Sequence, residues 1–218
     1  MPNIDFAQVL VVFAVLLLSL TFHEAAHAWT ADRLGDSTAR LLGRVSLNPA
    51  VHVDPIGTLL FPLIALTTGA PVLGWAKPVP VNVHQLGYTW KQKFMAIAAA
   101  GPASNLLLAL VCSLVLRVLD VTVAEPGISA AVLVMAIRLN VLLAVFNMIP
   151  VPPLDGGNVL AGLLPRSAAS VFNQIRPYGV LLLYGLVLSN GFRLIVMPPY
   201  SRRSDSRSGA RSRSSLAS

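Results

Sequence analysis

The sequence predicts an all-α polytopic membrane protein. Of its 218 residues, 55% are hydrophobic and only 11% are charged, whereas a soluble domain carries about 25% charged residues. The mean hydropathy of +0.71 points the same way. Apolar runs recur along the chain, and no hydrophilic stretch between them is large enough for a second folded domain. Cys112 stands alone inside one such run, which leaves no disulfide framework and no thiolate metal cluster. It reads as a small core residue.

The runs follow in order. Phe6–Trp29 is long enough to span, because a membrane helix needs about 20 residues at ~1.5 Å each. It lacks a basic n-region and leads directly into ionisable residues, so it is expected to be retained rather than removed as a signal peptide. Ile56–Ala70 has only 15 residues and contains Gly57 and Pro62. Residues 74–82, GWAKPVPVN, are too proline-rich for a helix and read as extended chain. Phe94–Leu116 and Ile128–Pro150 are each 23 residues long. Tyr178–Met197 is of span length but is interrupted by Asn190, Gly191 and Arg193, and is expected to form a C-terminal helix. Residues 201–218 hold five arginines against one aspartate, a net +4 of the chain's +7. This Ser/Arg tail has almost nothing to bury and reads as disordered and solvated, touching anionic lipid rather than nucleic acid. The expected division is a membrane-embedded domain over 1–200 and a tail over 201–218.

Chemistry concentrates at the end of the first run, in His23-Glu24-Ala25-Ala26-His27. Imidazoles at i and i+4 lie one helical turn apart on one face, where both can reach one Zn²⁺. Glu24 lies beside the first of them and is suited to taking a proton from a water on that metal. Each charged side chain at the centre of a lipid-facing helix costs at least about 2.5–3.5 kcal/mol. Three ionisable residues within five positions therefore call for a compensating metal.

The second cluster is Asn147-Met148-Ile149-Pro150-Val151-Pro152-Pro153-Leu154-Asp155-Gly156-Gly157. Prolines end the preceding helix near Pro150 and hold the chain extended. Asp155 then projects from a glycine turn that lets backbone approach another helix. Two histidines and one carboxylate leave a fourth zinc position free, the arrangement of a catalytic site. Parity constrains the topology: were all four runs before Asp155 to cross, His23 and Asp155 would emerge on opposite faces. The short Ile56–Ala70 run is therefore expected to be re-entrant, or paired with a return through 72–93, as tolerated where backbone is buried in protein or lines a wet cavity. Arg33, Arg40, Arg44, Lys77, Lys91 and Lys93 then share one side, the cytoplasm by the positive-inside rule.

The motifs HEAAH and FNMIPVPPLDGG in this order resemble the site-2 protease family of intramembrane zinc metalloproteases. Ala100-Gly101-Pro102-Ala103-Ser104-Asn105, Asn48-Pro49 with His52-Val53-Asp54-Pro55-Ile56-Gly57-Thr58, and GWAKPVPVN are similar to its compact bacterial branch, so the resemblance covers residues 6–190. It implies a three-helix catalytic core around one zinc per chain, with the site inside the membrane toward the cytoplasm. It implies hydrolysis of membrane-spanning protein substrates, as in regulated intramembrane proteolysis. By position, His23, His27 and Asp155 resemble the zinc ligands, Glu24 the general base and later proton donor, and Asn147 the polar residue that binds substrate backbone or the oxyanion. An amide one to two turns before the Asp turn suits that last role independently; bonding a neighbouring helix is its other reading.

Other residues keep two readings. His52 and Asp54 are suited either to orienting groups near the zinc or to capping the turn before Pro55. Trp75, Lys77, Val79 and Val81 alternate along the extended segment and could offer an edge to an unwound substrate strand. Gly101, Pro102 and Ala103 read as small residues for close helix packing, and Arg138 as a residue reaching the outer interface. No feature specifies an oligomeric state. The alternative function is a non-proteolytic zinc-binding membrane sensor, transporter or scaffold. A transporter would carry internal repeats with paired broken helices, which the chain lacks, and the intact Glu24 argues against a scaffold.

Overall fold

The structure is a computed structural model that describes residues 6–60, 64, 75–119 and 127–188. Its helices are α1 (Phe6–Arg33), α2 (Thr38–Leu41), α3 (Trp90–Val118), α4 (Ile128–Asn147), α5 (Asp155–Leu163), α6 (Arg166–Ile175) and α7 (Gly179–Leu188). No strand occurs among the described residues. Three of these helices, α1, α3 and α4, are long and apolar enough to cross a membrane. The expected re-entrant course of Ile56–Ala70 lies outside the described residues apart from Ile56–Leu60 and Ile64, as do the Tyr178–Met197 helix beyond Leu188 and the 201–218 tail. What is described of the short run is a single wide helical turn over Pro55–Leu60.

The three long helices pack mainly through small and polar side chains, with Ile97 the one large hydrophobic residue buried among their described side chains. In α3 the buried positions Ile97, Gly101, Asn105 and Ala109 recur every fourth residue, with Ala98 and Pro102 beside them. Residues four apart fall on one helix face. Buried α4 positions are Ala130, Asn140 and Ala144, and α1 contributes Ser19, Thr21, Ala28 and Ala31. Leu18, Leu107, Leu110, Leu114 and Leu142 are exposed instead. Lipid tails are as apolar as leucine, so helices in a bilayer gain little by hiding leucine and associate through small residues and interhelical hydrogen bonds. The pairing of Asn105 with Ser19 and of Ile97 with His27 makes α3 antiparallel to α1. The chain returns through α4, so α1 and α4 end on the same side. That is the arrangement the parity of the motifs requires.

The connections at this end are closed by polar caps. Gly35 leaves α1 at φ +109°, a conformation open to glycine, and the Asp36 N–H returns to the Ala31 carbonyl at 2.9 Å. The buried Asp36 carboxylate then accepts from Thr38 N–H at 3.0 Å and Asn82 N–H at 2.6 Å, tying α2 to the proline-rich segment. Residues 75–82 have no regular secondary structure, as the prolines dictate. The buried Leu86 that follows packs with Ala31 and Ile97, sealing the end of the bundle. Aromatic and basic residues gather there: the Arg33 guanidinium lies 5.1 Å over the Trp29 ring and the Lys91 ammonium 6.0 Å from the Trp90 ring. Such pairs suit a membrane–water interface.

Candidate metal centre

The α1 helix carries His23 and His27 one turn apart, with ring centroids 4.6 Å from each other and planes at 84°. Asp155 opens α5, where the helix dipole favours a carboxylate. Its Oδ2 lies 3.1 Å from His23 Nε2 and 3.4 Å from His27 Nε2. One ligating atom from each of the three residues can be chosen so that all lie within 4.8 Å of one another. Both histidines are buried, and the Asp155 side chain is 15% exposed.

Two glycine positions make this approach possible. A Cβ on Gly101 of α3 would stand 2.3 Å from His27 Nε2 and 2.6 Å from His23 Nε2. A Cβ on Gly156 would stand 2.3 Å from the Met148 carbonyl oxygen, and one on Gly157 2.9 Å from Pro152 N. The Gly-Gly pair thus lets the first turn of α5 fold against the chain that leaves α4, and Asp155 reaches α1.

The hydrogen bonds to the other ring nitrogens set the tautomers. His27 Nδ1 lies 2.6 Å from the Ile97 carbonyl oxygen, which can only accept, so Nδ1 carries the proton. His23 Nδ1 lies 2.6 Å from Asn105 Oδ1 and likewise donates. Both Nε2 atoms therefore face one carboxylate oxygen and are the ring positions left to bind a cation. Zinc bonds of about 2.0–2.1 Å in a tetrahedron separate neighbouring donors by roughly 3.3 Å. The observed 3.1 and 3.4 Å match that spacing. The donor set, its spacing and its tautomers fit zinc.

Residues 115–188 match the sequence profile of peptidase family M50. Over 200 residues the chain is 34% identical to a Bacillus subtilis (strain 168) protein named "Putative zinc metalloprotease YwhC", a match spanning 88% of this chain and 86% of that one. The chain belongs to peptidase family M50. It is a zinc metallopeptidase of the site-2 protease type. A second relative, "Putative zinc metalloprotease Rip2" of Mycolicibacterium smegmatis, is 30% identical over 185 residues, which is 83% of this chain and 67% of that protein. No solved structure matches the chain.

The remaining residues singled out in this M50 sequence fall at varied distances from the donor set. Glu24 is buried beside His23, and among the described residues its carboxylate takes no hydrogen bond. Asn147 ends α4 and donates its amide to the Leu143 carbonyl of its own helix at 3.0 Å. His52 and Asp54 make no hydrogen bond to the three donors. The His52 ring meets the Ser46 carbonyl at 2.8 Å, and Asp54 Oδ1 accepts from Ile56 and Gly57 N–H at 3.0 and 2.7 Å, capping the turn at Pro55. Of the two readings for that pair, these bonds correspond to the turn cap; the ring nitrogens of His23 and His27 are met by Asn105 and the Ile97 backbone. In the extended segment, Trp75 N–H bonds Gly57 O at 3.2 Å and Lys77 N–H bonds His52 O at 2.8 Å.

Sequence reasoning also missed Arg44, read only as a basic residue of the polar segment. It is buried and donates to the Lys77 carbonyl, with the Pro78 carbonyl 3.5 Å away. Burial pushes its guanidinium below the ordinary arginine range, and the nearby Glu24 charge works in the opposite direction.

Proposed function

We propose that this M50 chain hydrolyses peptide bonds of membrane-spanning substrates, with His23, His27 and Asp155 holding the zinc and Glu24 acting as general base. The observation that carries the reading is the convergence of two imidazole Nε2 atoms on one Asp155 oxygen, beside a buried carboxylate, at one end of three apolar helices. Zinc held there supplies Lewis acidity toward a water and a substrate carbonyl. Glu24 takes the water's proton and returns it to the leaving amine. Asn147 lies one turn before the chain that delivers Asp155, and its amide is suited to meeting charge that develops on the scissile carbonyl oxygen. Among the described residues, the Val79 and Val81 amides make no hydrogen bond, whereas Trp75 and Lys77 have spent theirs. Pro78 and Pro80 supply no donors to the opposite edge. An unwound substrate would therefore pair along Val79 and Val81.

We place the site toward the cytoplasm, because Arg33, Arg40, Arg44, Lys77, Lys91 and Lys93 belong to the segments gathered at its end of the bundle. Cysteines introduced at positions 37 and 89 should both label from the cytoplasmic side, and labelling from opposite sides would sink the orientation. The activity is tested with purified protein and a reconstituted membrane peptide. Wild-type protein should cleave in a chelator-sensitive way, and Glu24→Gln should retain zinc without turnover. Cleavage by Glu24→Gln would remove Glu24 from the mechanism.

A further inference from the structure

We propose that Ser19, Asn105 and Asn140 are positioning residues for the metal centre, forming a directional polar chain through all three membrane helices that dictates which nitrogen of His23 carries the proton. The proposal rests on His23 being a zinc ligand. The three side chains have no place in a lipid-packed bundle on hydropathy grounds, yet they are 1%, 0% and 0% exposed.

Their bonds form a closed set. Asn105 Nδ2 donates to the Ser19 carbonyl at 3.2 Å and to Asn140 Oδ1 at 2.8 Å. Asn140 Nδ2 donates to Ser19 Oγ at 2.9 Å and to the Ala136 carbonyl at 2.9 Å. Ser19 Oγ donates in turn to the Val15 carbonyl at 2.8 Å. Every amide N–H is used. The backbone oxygens of Ser19 and Ala136 can only accept, so neither carboxamide can turn over without setting its own oxygen against a carbonyl oxygen. With Asn105 fixed this way, Oδ1 is the atom left for His23 Nδ1. The proton must sit on Nδ1, and Nε2 keeps its lone pair for the metal. A reversed Asn105 would move that proton to Nε2 and cancel the ligand.

Asn140 bonds none of the three metal donors, so any effect of Asn140 on zinc must pass through Asn105 or Ser19. Zinc affinity is measured on the purified full chain by competition with a chromophoric chelator, alongside thermal unfolding and the visible spectrum of Co²⁺-substituted protein. Removing such orienting partners weakens metal binding by about 10–100-fold. Asn105→Leu should fall in that range and Asn140→Leu near its lower end, each with an altered Co²⁺ spectrum. Asn140→Asp, which keeps an oxygen for Asn105, should recover most of the loss. His23→Ala should lose the metal. Wild-type zinc affinity in Asn140→Leu, whether or not the protein is destabilised, overturns the proposal and leaves His23 as a ligand. Zinc retained by His23→Ala overturns the ligand reading itself. Should Asn140→Leu not fold, Ser19→Ala, which deletes the hydroxyl that receives Asn140's N–H, decides by the same measurement.

Discussion

Replacing Gly101 with alanine adds one methyl group against the zinc-facing edge of both histidines. The new Cβ would lie 2.3 Å from His27 Nε2 and 2.6 Å from His23 Cε1 and Nε2, where ordinary contact begins near about 3.5 Å. The imidazoles or the α1–α3 spacing must therefore give by about 1 Å. Metal sites tolerate departures of only about 0.2 Å in their bond lengths, and a 1 Å misplacement at a reacting centre can cost about 100-fold in rate. Gly101→Ala should thus lower kcat/KM at least about 100-fold, near 2.7 kcal/mol of transition-state stabilisation, together with zinc occupancy. The helix itself should not suffer, because alanine favours an α-helix over glycine by about 1 kcal/mol. Cleavage of a reconstituted membrane peptide, zinc content by elemental analysis and far-UV circular dichroism together make the test. Ala103→Leu, on the exposed side of the same turn, serves as the control that should change none of them. Wild-type turnover with full zinc in Gly101→Ala would refute the packing argument, since a methyl cannot share the space the imidazole nitrogens occupy.

Gly156→Ala should separate Asp155 from the histidines, because its Cβ meets the Met148 carbonyl at 2.3 Å; zinc occupancy should drop while the α1 and α3 residues remain protected in hydrogen exchange. Arg44→Met should strip the Lys77 carbonyl of its donor, at a cost of about 1–3 kcal/mol for the group left unpaired. Protease nicking within 75–82 should rise, and zinc content should hold. His52→Gln should leave zinc affinity within twofold of wild type and lower thermal stability, because its ring serves the Ser46 carbonyl; a tenfold weaker zinc site would restore it to the metal's surroundings.

What the sequence shows of this molecule depends on whether a feature is local. His23 and His27 are legible because four residues make about one helical turn, and a pair of imidazoles so spaced declares its face without knowledge of anything else. Asp155 is legible through counting: three long runs that flank two motifs can bring them together only if the fourth run does not cross. Asn105 and Asn140 are not legible in this way. A carboxamide in an apolar run announces that it will find a partner, but the partner is chosen by how helices rotate against one another, which no single run encodes. The same gap left His52 and Asp54 with two readings, of which their hydrogen bonds, closing the loop they stand on, match the turn cap. Arg44 was hidden by its type, since a basic residue beside a membrane helix is ordinarily a topological marker. Its burial against two carbonyls follows from the course of a proline-rich segment 33 residues further along.

The donors converging beside Glu24 come from α1 and α5, with 132 positions between His23 and Asp155. Synthesis at about 5–20 residues per second separates their appearance by roughly 7–26 s. Through that interval the nascent chain holds HEAAH in the bilayer with no carboxylate opposite it, and it passes its own apolar segments through the membrane before the donor set is complete. The three donors can therefore meet only once the turn that opens α5 has been made.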